Sequence, residues 1–244
     1  MAGLLSMFSR KRKGVRCAAV IVAAGSARRM GRIDKIMAML GELPVLVHTV
    51  SAFQECAMIS EIVIVTREDL IPAIGELCRQ YHLDKVRKVI VGGSERSHSV
   101  RKGIQEIPED TDLIAIHDGA RPLVTQDILE ATIREAGRTG AAAPAIPVID
   151  TIKRAEGELA VDTVERSALR AVQTPQIFEG GLIRAALEKA EEEGAVLTDD
   201  CSAVERLGMR VTLTEGSREN IKITTPFDLM LGEAILEARA KGEL

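Results

Sequence analysis

Aromatic residues are scarce in this sequence, which contains one Tyr, four Phe and no Trp in 244 residues. Proteins that bind single-stranded nucleic acid stack the bases on aromatic side chains, so the composition argues against that function. No apolar run approaches the roughly 20 residues that a membrane-spanning helix needs. Hydrophobic residues make up 46% and charged residues 28% of the chain. These proportions are typical of a soluble globular protein and not of a disordered one.

Several common catalytic and metal-binding motifs are also missing. The four cysteines show no C-x-x-C spacing, and the four histidines show no H-E-x-x-H spacing, which argues against a zinc site. A G-x-S-x-G motif is absent, and with it the usual sign of a serine hydrolase. A disulfide framework is not expected in so long a chain. We therefore predict a reducing, cytoplasmic location.

The charge is unevenly distributed along the chain. The net charge is -4, although residues 1–16 contain five bases and no acid. The acidic remainder does not suit a nucleic-acid-binding protein. The basic start and the apolar run CAAVIVAA (17–24) together imitate a signal peptide. We favour a buried strand over a signal peptide for the apolar run. Residues 1–16 are predicted to form a mobile basic tail, and a weak contact of this tail with an anionic surface is the alternative. No stable membrane association is expected.

Short apolar runs alternate with helical patterns, which predicts an α/β fold. The runs are nearly continuously apolar, as in parallel strands that are buried on both faces. Strands are predicted at 17–24, 61–66, 88–92, 112–117, 141–148 and 210–215. Helices are predicted near 44–56, 68–82, 95–107, 125–138, 179–193, 199–207 and from 226 onward. We expect a Rossmann-like, mostly parallel sheet flanked by helices, in a single domain over residues 17–244.

The alternation breaks after Pro147. Residues 150–176 contain short alternating stretches around Glu156 and Gly157, which is a hairpin signal. We predict that about residues 149–173 form a β-arm that projects from the sheet. Projecting arms often embrace a second subunit, so a homodimer is expected.

The loop after the first strand is a candidate phosphate site. The segment AAGSARRMGRIDK (23–35) combines small residues with four bases, Arg28, Arg29, Arg32 and Lys35. Small residues let a backbone approach a ligand closely, and backbone N–H groups can cradle phosphate. The segment lacks both the P-loop pattern and the G-x-G-x-x-G pattern. A solvated basic loop is the alternative to a triphosphate site.

Two further loops follow predicted strands, and ligands of open α/β sheets bind beyond the carboxyl ends of strands. GGSERSHSV (92–100) is either a turn with Ser94 as a helix cap or a platform for a base or ribose. HDGARP (117–122) places Asp118 and Arg121 at a strand end. These two residues are either a structural turn pair or groups that orient a hydroxyl, a hydrated metal or a phosphate.

Taken in order, these motifs resemble the 2-C-methyl-D-erythritol 4-phosphate cytidylyltransferase family. The matching strings include AAGSARRMG, GGSERSHSV and HDGARP, followed by DTIKR, TPQ, TDD and NIKITTPFD. The resemblance covers about residues 17–240. It implies that the chain makes CDP-methylerythritol and pyrophosphate from CTP and methylerythritol phosphate, in the non-mevalonate route to isoprenoid precursors. It also implies a divalent cation, usually Mg²⁺, and a homodimer formed through the arm.

The resemblance also assigns roles to individual residues. The implied catalytic residues are Arg29, Lys35, Arg166 and Lys222. The implied nucleotide-binding residues are Ala23, Ala24, Gly25, Gly93, Ser94, Ser99 and Asp118. The implied acceptor-binding residues are Arg121, Thr151 and Thr174, with Thr151 and Arg166 reaching the site of the partner subunit. Mg²⁺ would be held mainly by substrate phosphates, with Asp118 as the one candidate protein ligand.

The sequence departs from the family pattern near two of these residues. Ser94 stands where several members have Asp near the cytosine amino group, and Asp34 and Ile36 flank Lys35 where Pro and Gln are frequent. Two other functions remain as alternatives. One is a cytidylyltransferase for another alditol phosphate, such as ribitol 5-phosphate. The other is a non-catalytic nucleotide-binding or regulatory protein.

Overall fold

The structure is a computed structural model that describes residues 15–25 and 34–244. The predicted tail lies outside the described residues up to position 14, and so do Arg28, Arg29 and Arg32. Arg16 is described, and it contacts the body of the protein. Its backbone N–H donates to Asp112 Oδ2 at 2.9 Å.

Twelve strands lie within residues 15–25 and 34–244, and the predicted strands are confirmed with small shifts at their ends. They are β1 (Cys17–Val22), β2 (Met39–Leu40), β3 (Leu43–Pro44), β4 (Ile59–Thr66), β5 (Val86–Val91), β6 (Leu113–Asp118), β7 (Ala141–Pro147), β8 (Ile152–Glu156), β9 (Leu159–Val164), β10 (Arg170–Val172), β11 (Gln176–Glu179) and β12 (Thr212–Glu215) in the part of the chain that is described. The short hairpin of β2 and β3 was not predicted from the sequence, and neither were strands β10 and β11.

Seven helices lie in the same described ranges. They are α1 (Val45–Glu55), α2 (Ile71–Gln80), α3 (Arg96–Gln105), α4 (Gln126–Thr139), α5 (Gly180–Glu192), α6 (Asp200–Arg206) and α7 (Pro226–Lys241). Helix α7 begins as its sequence predicts, with a capping box between Thr225 and Asp228 and with Pro226 in the first turn. None of these described helices has the length and apolarity required to cross a membrane.

The central sheet confirms the predicted α/β architecture. Strands β6, β1, β4 and β5 are adjacent and parallel. Strand β7 pairs in parallel with β12 along one edge, and antiparallel with β10 and then β11 along the other. Strand β11 also pairs antiparallel with β6. The parallel strands β6, β1, β4 and β5 have their carboxyl ends at one edge of the sheet, and the predicted ligand-binding loops follow there.

Both faces of the sheet are covered by apolar side chains. Strand β1 shows this directly, because Cys17, Ala19 and Ile21 belong to one core cluster, whereas Ala18 and Val20 belong to the other. All five side chains are fully buried. Burial on both faces explains why the strand reads as a continuous apolar run.

The predicted arm is a hairpin of β8 and β9, which pair only with each other among the described strands. The chain then returns to the main sheet through β10. Several apolar side chains of the hairpin are exposed, with Leu159 at 73% and Val161 at 49% of their full surface. The arm in the described chain therefore lacks a core of its own.

Gly103 sets the close packing of α3 on the sheet. A Cβ atom at this position would lie 2.5 Å from Val20 Cγ1 and 2.8 Å from Val65 Cγ2. We therefore expect Gly103→Ala to lower the free energy of unfolding by about 1–3 kcal/mol, because it overpacks the core. Urea denaturation followed by circular dichroism would measure this change.

A matched control exists on another helix. A Cβ at Gly137, which is exposed on α4, would meet only Leu113 Cδ1, at 3.8 Å. Gly137→Ala should raise the free energy of unfolding by about 0.5–1 kcal/mol, because it removes the entropic cost of glycine in a helix. Equal stability of the Gly103→Ala variant and the wild type would contradict the proposed close packing.

Candidate active site

A cavity of about 670 Å³ lies beyond the carboxyl ends of β1, β4, β5 and β6. It is the place where the sequence analysis expected a ligand. The residues that line it include Ala24, Gly25, Lys35, Arg67, Gly92, Gly93, Ser94, Arg96, Ser99, Asp118 and Lys222. Residues as far apart in the chain as Ala24 and Lys222 therefore line the same cavity.

The two glycines after β5 form one wall of the cavity. A Cβ at Gly93 would lie 2.4 Å from His98 Cβ, and a Cβ at Gly92 would lie 2.7 Å from both Ala24 Cβ and Ser99 Oγ. The backbone N–H of Gly93 donates to Ser99 Oγ at 3.0 Å. Only glycine fits at these two positions, so the wall is bare backbone, as a platform for a nucleotide requires.

Ser94 stands at the edge of this wall. Its Oγ lies 3.1 Å from His98 Nδ1, one turn along the chain. Ser94 does not cap α3 through its side chain, because Glu95 is the residue that precedes the helix and no side-chain cap is formed. The capping alternative is therefore wrong, Ser94 lines the cavity, and its role in ligand binding stays a prediction.

Asp118 is a nearly buried carboxylate that faces three cationic side chains. Lys222 Nζ lies 2.7 Å from its Oδ2, Arg96 Nε lies 3.3 Å from its Oδ1, and Arg121 Nε lies 3.8 Å from its Oδ2. Burial alone would raise the pKa of Asp118, but the positive charges of Arg96, Lys222 and Arg121 outweigh it and lower that pKa well below its usual value. Asp118 is thus ionised at neutral pH and holds the cations in place.

Arg96 is a site residue that the sequence analysis missed. It is the first residue of α3, and its guanidinium makes a two-pronged contact with Asp200, with donor–acceptor distances of 3.0 and 2.8 Å. Asp200 is fully buried at the start of α6, where its backbone N–H donates to Gln176 Oε1. A charged Arg in the motif GGSERSHSV was the available signal, but its partners are distant in sequence.

Thr174 and His117 form a chain of hydrogen bonds that begins at the backbone of Asp118. The backbone N–H of Asp118 donates to Thr174 Oγ1 at 3.2 Å, and Thr174 Oγ1 lies 2.9 Å from His117 Nδ1. His117 Nε2 lies 3.1 Å from the carbonyl oxygen of Arg121, which can only accept. Nε2 therefore carries the hydrogen, and Thr174 donates to Nδ1. Burial lowers the pKa of His117 to about 4, so the ring is neutral at neutral pH.

Arg121 is anchored on the same side of Asp118. Its Nη1 donates to the carbonyl oxygen of Asn220 at 2.7 Å. Asn220 is fully buried and donates from its amide to the carbonyl oxygen of Thr174 at 3.0 Å. These bonds fix the segment that carries Lys222 against the end of β6.

Lys35 lines the cavity and belongs to a turn that follows residues 26–33, which the structure does not describe. Its Nζ lies 3.8 Å from the position that a Cβ of Gly25 would occupy. The ammonium group therefore lies near the backbone of Gly25, three residues after the end of β1. This is where the sequence analysis expected phosphate to bind.

Most predicted site residues come together in this way. Those that line the cavity are Ala24, Gly25, Lys35, Gly93, Ser94, Ser99, Asp118 and Lys222. Ala23 is buried and does not line the cavity, while Arg121 and Thr174 contact Asp118. Thr151 and Arg166 are exposed on the arm, at its two ends. Arg29 lies outside the described residues.

A metal site built from protein side chains alone is not found among the described residues, which contain no group of three His, Cys, Asp or Glu side chains placed to hold an ion. Mg²⁺ differs from most metals in that it needs only one or two carboxylates when substrate phosphates supply further oxygens. Asp118 is an ionised carboxylate that lines the cavity, so it is a ligand of the type that this mode of binding uses.

Comparison with known sequences gives a consistent result. A family model described as IspD, 2-C-methyl-D-erythritol 4-phosphate cytidylyltransferase, matches residues 17–238. The chain is 43% identical over 229 residues to the enzyme of that name from Alkaliphilus metalliredigens, covering 92% of this chain and 94% of the relative. It is 44% identical over 223 residues to the one from Halalkalibacterium halodurans, covering 91% and 97%.

Solved structures show the same similarity in three dimensions. The 4-diphosphocytidyl-2C-methyl-D-erythritol synthase from Anaerococcus prevotii superposes with a TM-score of 0.81 at 30% identity, covering 91% of this chain and 96% of that one. The 2-C-methyl-D-erythritol 4-phosphate cytidylyltransferase from Thermus thermophilus superposes with a TM-score of 0.75 at 33% identity, covering 89% and 98%.

Proposed function

The chain belongs to the 2-C-methyl-D-erythritol 4-phosphate cytidylyltransferase family, and on that basis we propose that it transfers CMP from CTP to 2-C-methyl-D-erythritol 4-phosphate and releases pyrophosphate. The observation that carries the proposal is the convergence of Lys35, Arg96 and Lys222 on one cavity with a glycine wall. Cations and bare backbone at the ends of parallel strands suit two phosphorylated reactants.

In this proposal the nucleotide lies against the wall formed by Gly92 and Gly93. The base and ribose would contact backbone groups, together with the hydroxyls of Ser94 and Ser99. Ser99 is already fixed by its bond from Gly93 N–H, so its position does not depend on the ligand. The triphosphate would extend toward Lys35 and the loop after β1.

The reaction is a displacement at phosphorus. A phosphate oxygen of the acceptor forms a bond to the α-phosphorus of CTP, the bond between the α-phosphorus and its bridging oxygen breaks, and pyrophosphate leaves in line with the electron pair. The attacking phosphate is already ionised near neutral pH, so no general base is needed. Catalysis then comes from positioning two anions and from stabilising the charge on the crowded phosphorus, without a covalent enzyme intermediate.

We propose that the cationic side chains at the cavity divide this task between them. Lys35, together with the predicted contribution of Arg29, would stabilise charge on the triphosphate. Lys222 would place the attacking phosphate, because it lines the cavity and its side chain is 38% exposed. Arg121 and Thr174 have polar partners behind Asp118, so we propose that they act on the acceptor mainly by holding Asp118 and the Lys222 segment.

A divalent cation is part of the proposal. Asp118 would supply its protein ligand, and the substrate phosphates would supply most of the rest. When bound, such a cation neutralises phosphate charge and reduces the repulsion between the two reactants.

Release of pyrophosphate is the direct test of the proposed function. We expect release only when CTP and methylerythritol phosphate are both present with Mg²⁺. Ribitol 5-phosphate and the other nucleoside triphosphates serve as controls. Faster release with ribitol 5-phosphate would favour the alternative acceptor. Binding of CTP by the folded protein without release of pyrophosphate would favour the non-catalytic alternative.

We also propose that the arm joins two chains into a homodimer and carries Thr151 and Arg166 to the partner's cavity. The exposed apolar side chains of the hairpin support this, because a second copy would cover them. Within one chain, Arg166 Nη1 donates to the carbonyl oxygen of Ile149, at the base of the arm.

A mixing experiment tests the shared site. Arg166→Ala and Lys222→Ala chains should each form inactive homodimers, whereas a heterodimer would contain one complete site and one site lacking both residues. With equal amounts and random exchange, the mixture should recover about a quarter of wild-type activity. Native mass spectrometry would verify the exchange. Exchange without recovery would show that the arm does not cross to the partner.

The cytoplasmic location stays a proposal. It is supported by the four cysteines, all of which carry free thiols.

A further inference from the structure

The segment that carries Lys35 is a tight turn, here called the lysine turn and defined as residues 34–38. The carbonyl oxygen of Asp34 accepts the N–H groups of Met37 and Ala38 at 3.1 and 2.8 Å. Asp34 Oδ1 accepts the N–H of Ile36 at 3.1 Å. Asp34 therefore organises the turn through both its backbone and its side chain.

The far end of the lysine turn is attached to the core. The Ile36 side chain is almost completely buried, and its carbonyl oxygen accepts the N–H of Leu46 at the start of α1, at 2.9 Å. Ala38 accepts the N–H of Val45 in the same way. The turn thus has a buried anchor after Lys35, whereas the anchor before it is Asp34.

Arg67 binds Asp34, the anchor that precedes Lys35. It follows β4, and its Nη1 donates to Asp34 Oδ2 at 2.5 Å. The other edge of the guanidinium makes two bonds of 3.0 Å to Asp69. Side-chain hydrogen bonds to Asp69 and Asp34 raise the pKa of Arg67. One planar guanidinium therefore connects the loop after β4 to the lysine turn across the cavity edge.

The ion pair between Arg67 and Asp34 also determines the charge next to Lys35. Asp34 is only 17% exposed and lies directly before the lysine, at the edge of a cavity that would receive phosphates. A carboxylate there would repel the triphosphate and attract the Lys35 ammonium. Arg67 compensates this charge through a bond to the oxygen that does not cap the turn.

We propose that Arg67 is a positioning residue for Lys35 and acts through its ion pair with Asp34. This inference rests on the proposed function, in which Lys35 stabilises charge on the triphosphate. It accounts for the presence of Asp34 beside the lysine, where Pro is frequent in the family. A rigid proline is replaced by a charged turn residue that needs an arginine partner.

The first test compares Arg67→Gln with Asp69→Asn. Arg67→Gln removes both ion pairs of the guanidinium, whereas Asp69→Asn removes only the pair with Asp69, which is 66% exposed and has no bond to the lysine turn. We expect Arg67→Gln to lower kcat about 10-fold with the KM for methylerythritol phosphate unchanged, because small misplacement of a catalytic group is costly. Asp69→Asn should stay within about twofold of wild type. Equal effects of the two variants would overturn the proposal.

A double-mutant cycle with Lys35 distinguishes positioning from direct contact, because Arg67 also lines the cavity. If Arg67 acts through Lys35, Arg67→Gln should change the residual kcat of a Lys35→Ala enzyme by less than about twofold. A 10-fold loss in that background would show that Arg67 acts on the substrate itself, and would overturn the proposal. Arg67→Lys, which keeps the charge, should recover part of the activity.

The chemical reactivity of Lys35 can be measured without enzyme turnover, so it tests the positioning role of Arg67 independently of the proposed function. Acetic anhydride labels lysine amines, and mass spectrometry gives the labelling rate of Lys35. We expect Arg67→Gln and Asp34→Asn to change that rate by more than about twofold, because both remove charge from the pair, and Asp69→Asn to leave it unchanged. Unchanged labelling in folded Arg67→Gln protein would overturn the positioning role. An inactive wild type that showed the expected labelling changes would instead contradict the proposed function alone.

Discussion

Replacement of Lys35 by alanine is expected to lower kcat about 10²-fold or more, on the scale of removing one preorganised donor from a site that stabilises developing charge. The ammonium lies near the backbone of Gly25 and faces the cavity that also contains Asp118 and Lys222. It would meet the triphosphate where negative charge accumulates during the displacement. Steady-state release of pyrophosphate at saturating CTP and acceptor measures the effect.

The matched control for Lys35 is a lysine of similar type outside the cavity. Lys88 is 53% exposed and pairs with Glu106 on the protein surface. Lys88→Ala should leave kcat unchanged, and both variants should unfold at the temperature of the wild type. A kcat for Lys35→Ala within about threefold of wild type would reject the assigned role. Arg29→Ala belongs in the same experiment, since the family resemblance implies the same function for that residue.

The sequence was sufficient to predict the place of the cavity. Loops that follow β1, β5 and β6 meet at one edge of the sheet because these strands are parallel or linked by parallel neighbours. Continuous apolar runs identified the strands, and the residues after them were polar, small or charged. Local pattern and a general rule of sheet topology therefore determined which loops face a common ligand.

The sequence could not show how the charged groups pair within the cavity. Arg96 reaches Asp200 across 104 positions of the chain, and Arg67 reaches Asp34 across 33. A surface arginine and a site arginine have the same local pattern, since burial and partner are set by the tertiary fold. The antiparallel strands β10 and β11 were missed for a related reason, because short strands are defined by their neighbours more than by their own residues.

Asp118 is expected to show the second large effect. It is the common partner of Arg96, Arg121 and Lys222, and it is 7% exposed. Replacement by Asn removes the compensating charge and leaves cationic groups close together in a partly desolvated site. We expect the free energy of unfolding to fall by about 3 kcal/mol, as when one partner of a buried ion pair is removed. The kcat should fall at least 10²-fold, because Lys222 loses its anchor.

The pH dependence of stability separates this effect from a general packing defect. The pKa of Asp118 is lower in the folded chain than its usual value, so its ionised form stabilises the fold above about pH 4 and that contribution is lost as the pH falls further. Asp118→Asn lacks this contribution at every pH. Urea denaturation should therefore show a stability gap between wild type and variant that is constant near neutral pH and narrows below about pH 4.

A carboxylate on the surface supplies the control for Asp118. Asp110 pairs with Arg16 at 2.6 Å, but both side chains are largely exposed. Asp110→Asn should leave the urea midpoint of unfolding unchanged, because solvent screens such exposed pairs. If Asp118→Asn behaved like Asp110→Asn in stability and kept wild-type kcat, the three cations would not depend on Asp118. The cavity would then need another account of how like charges are held together before the anionic substrates bind.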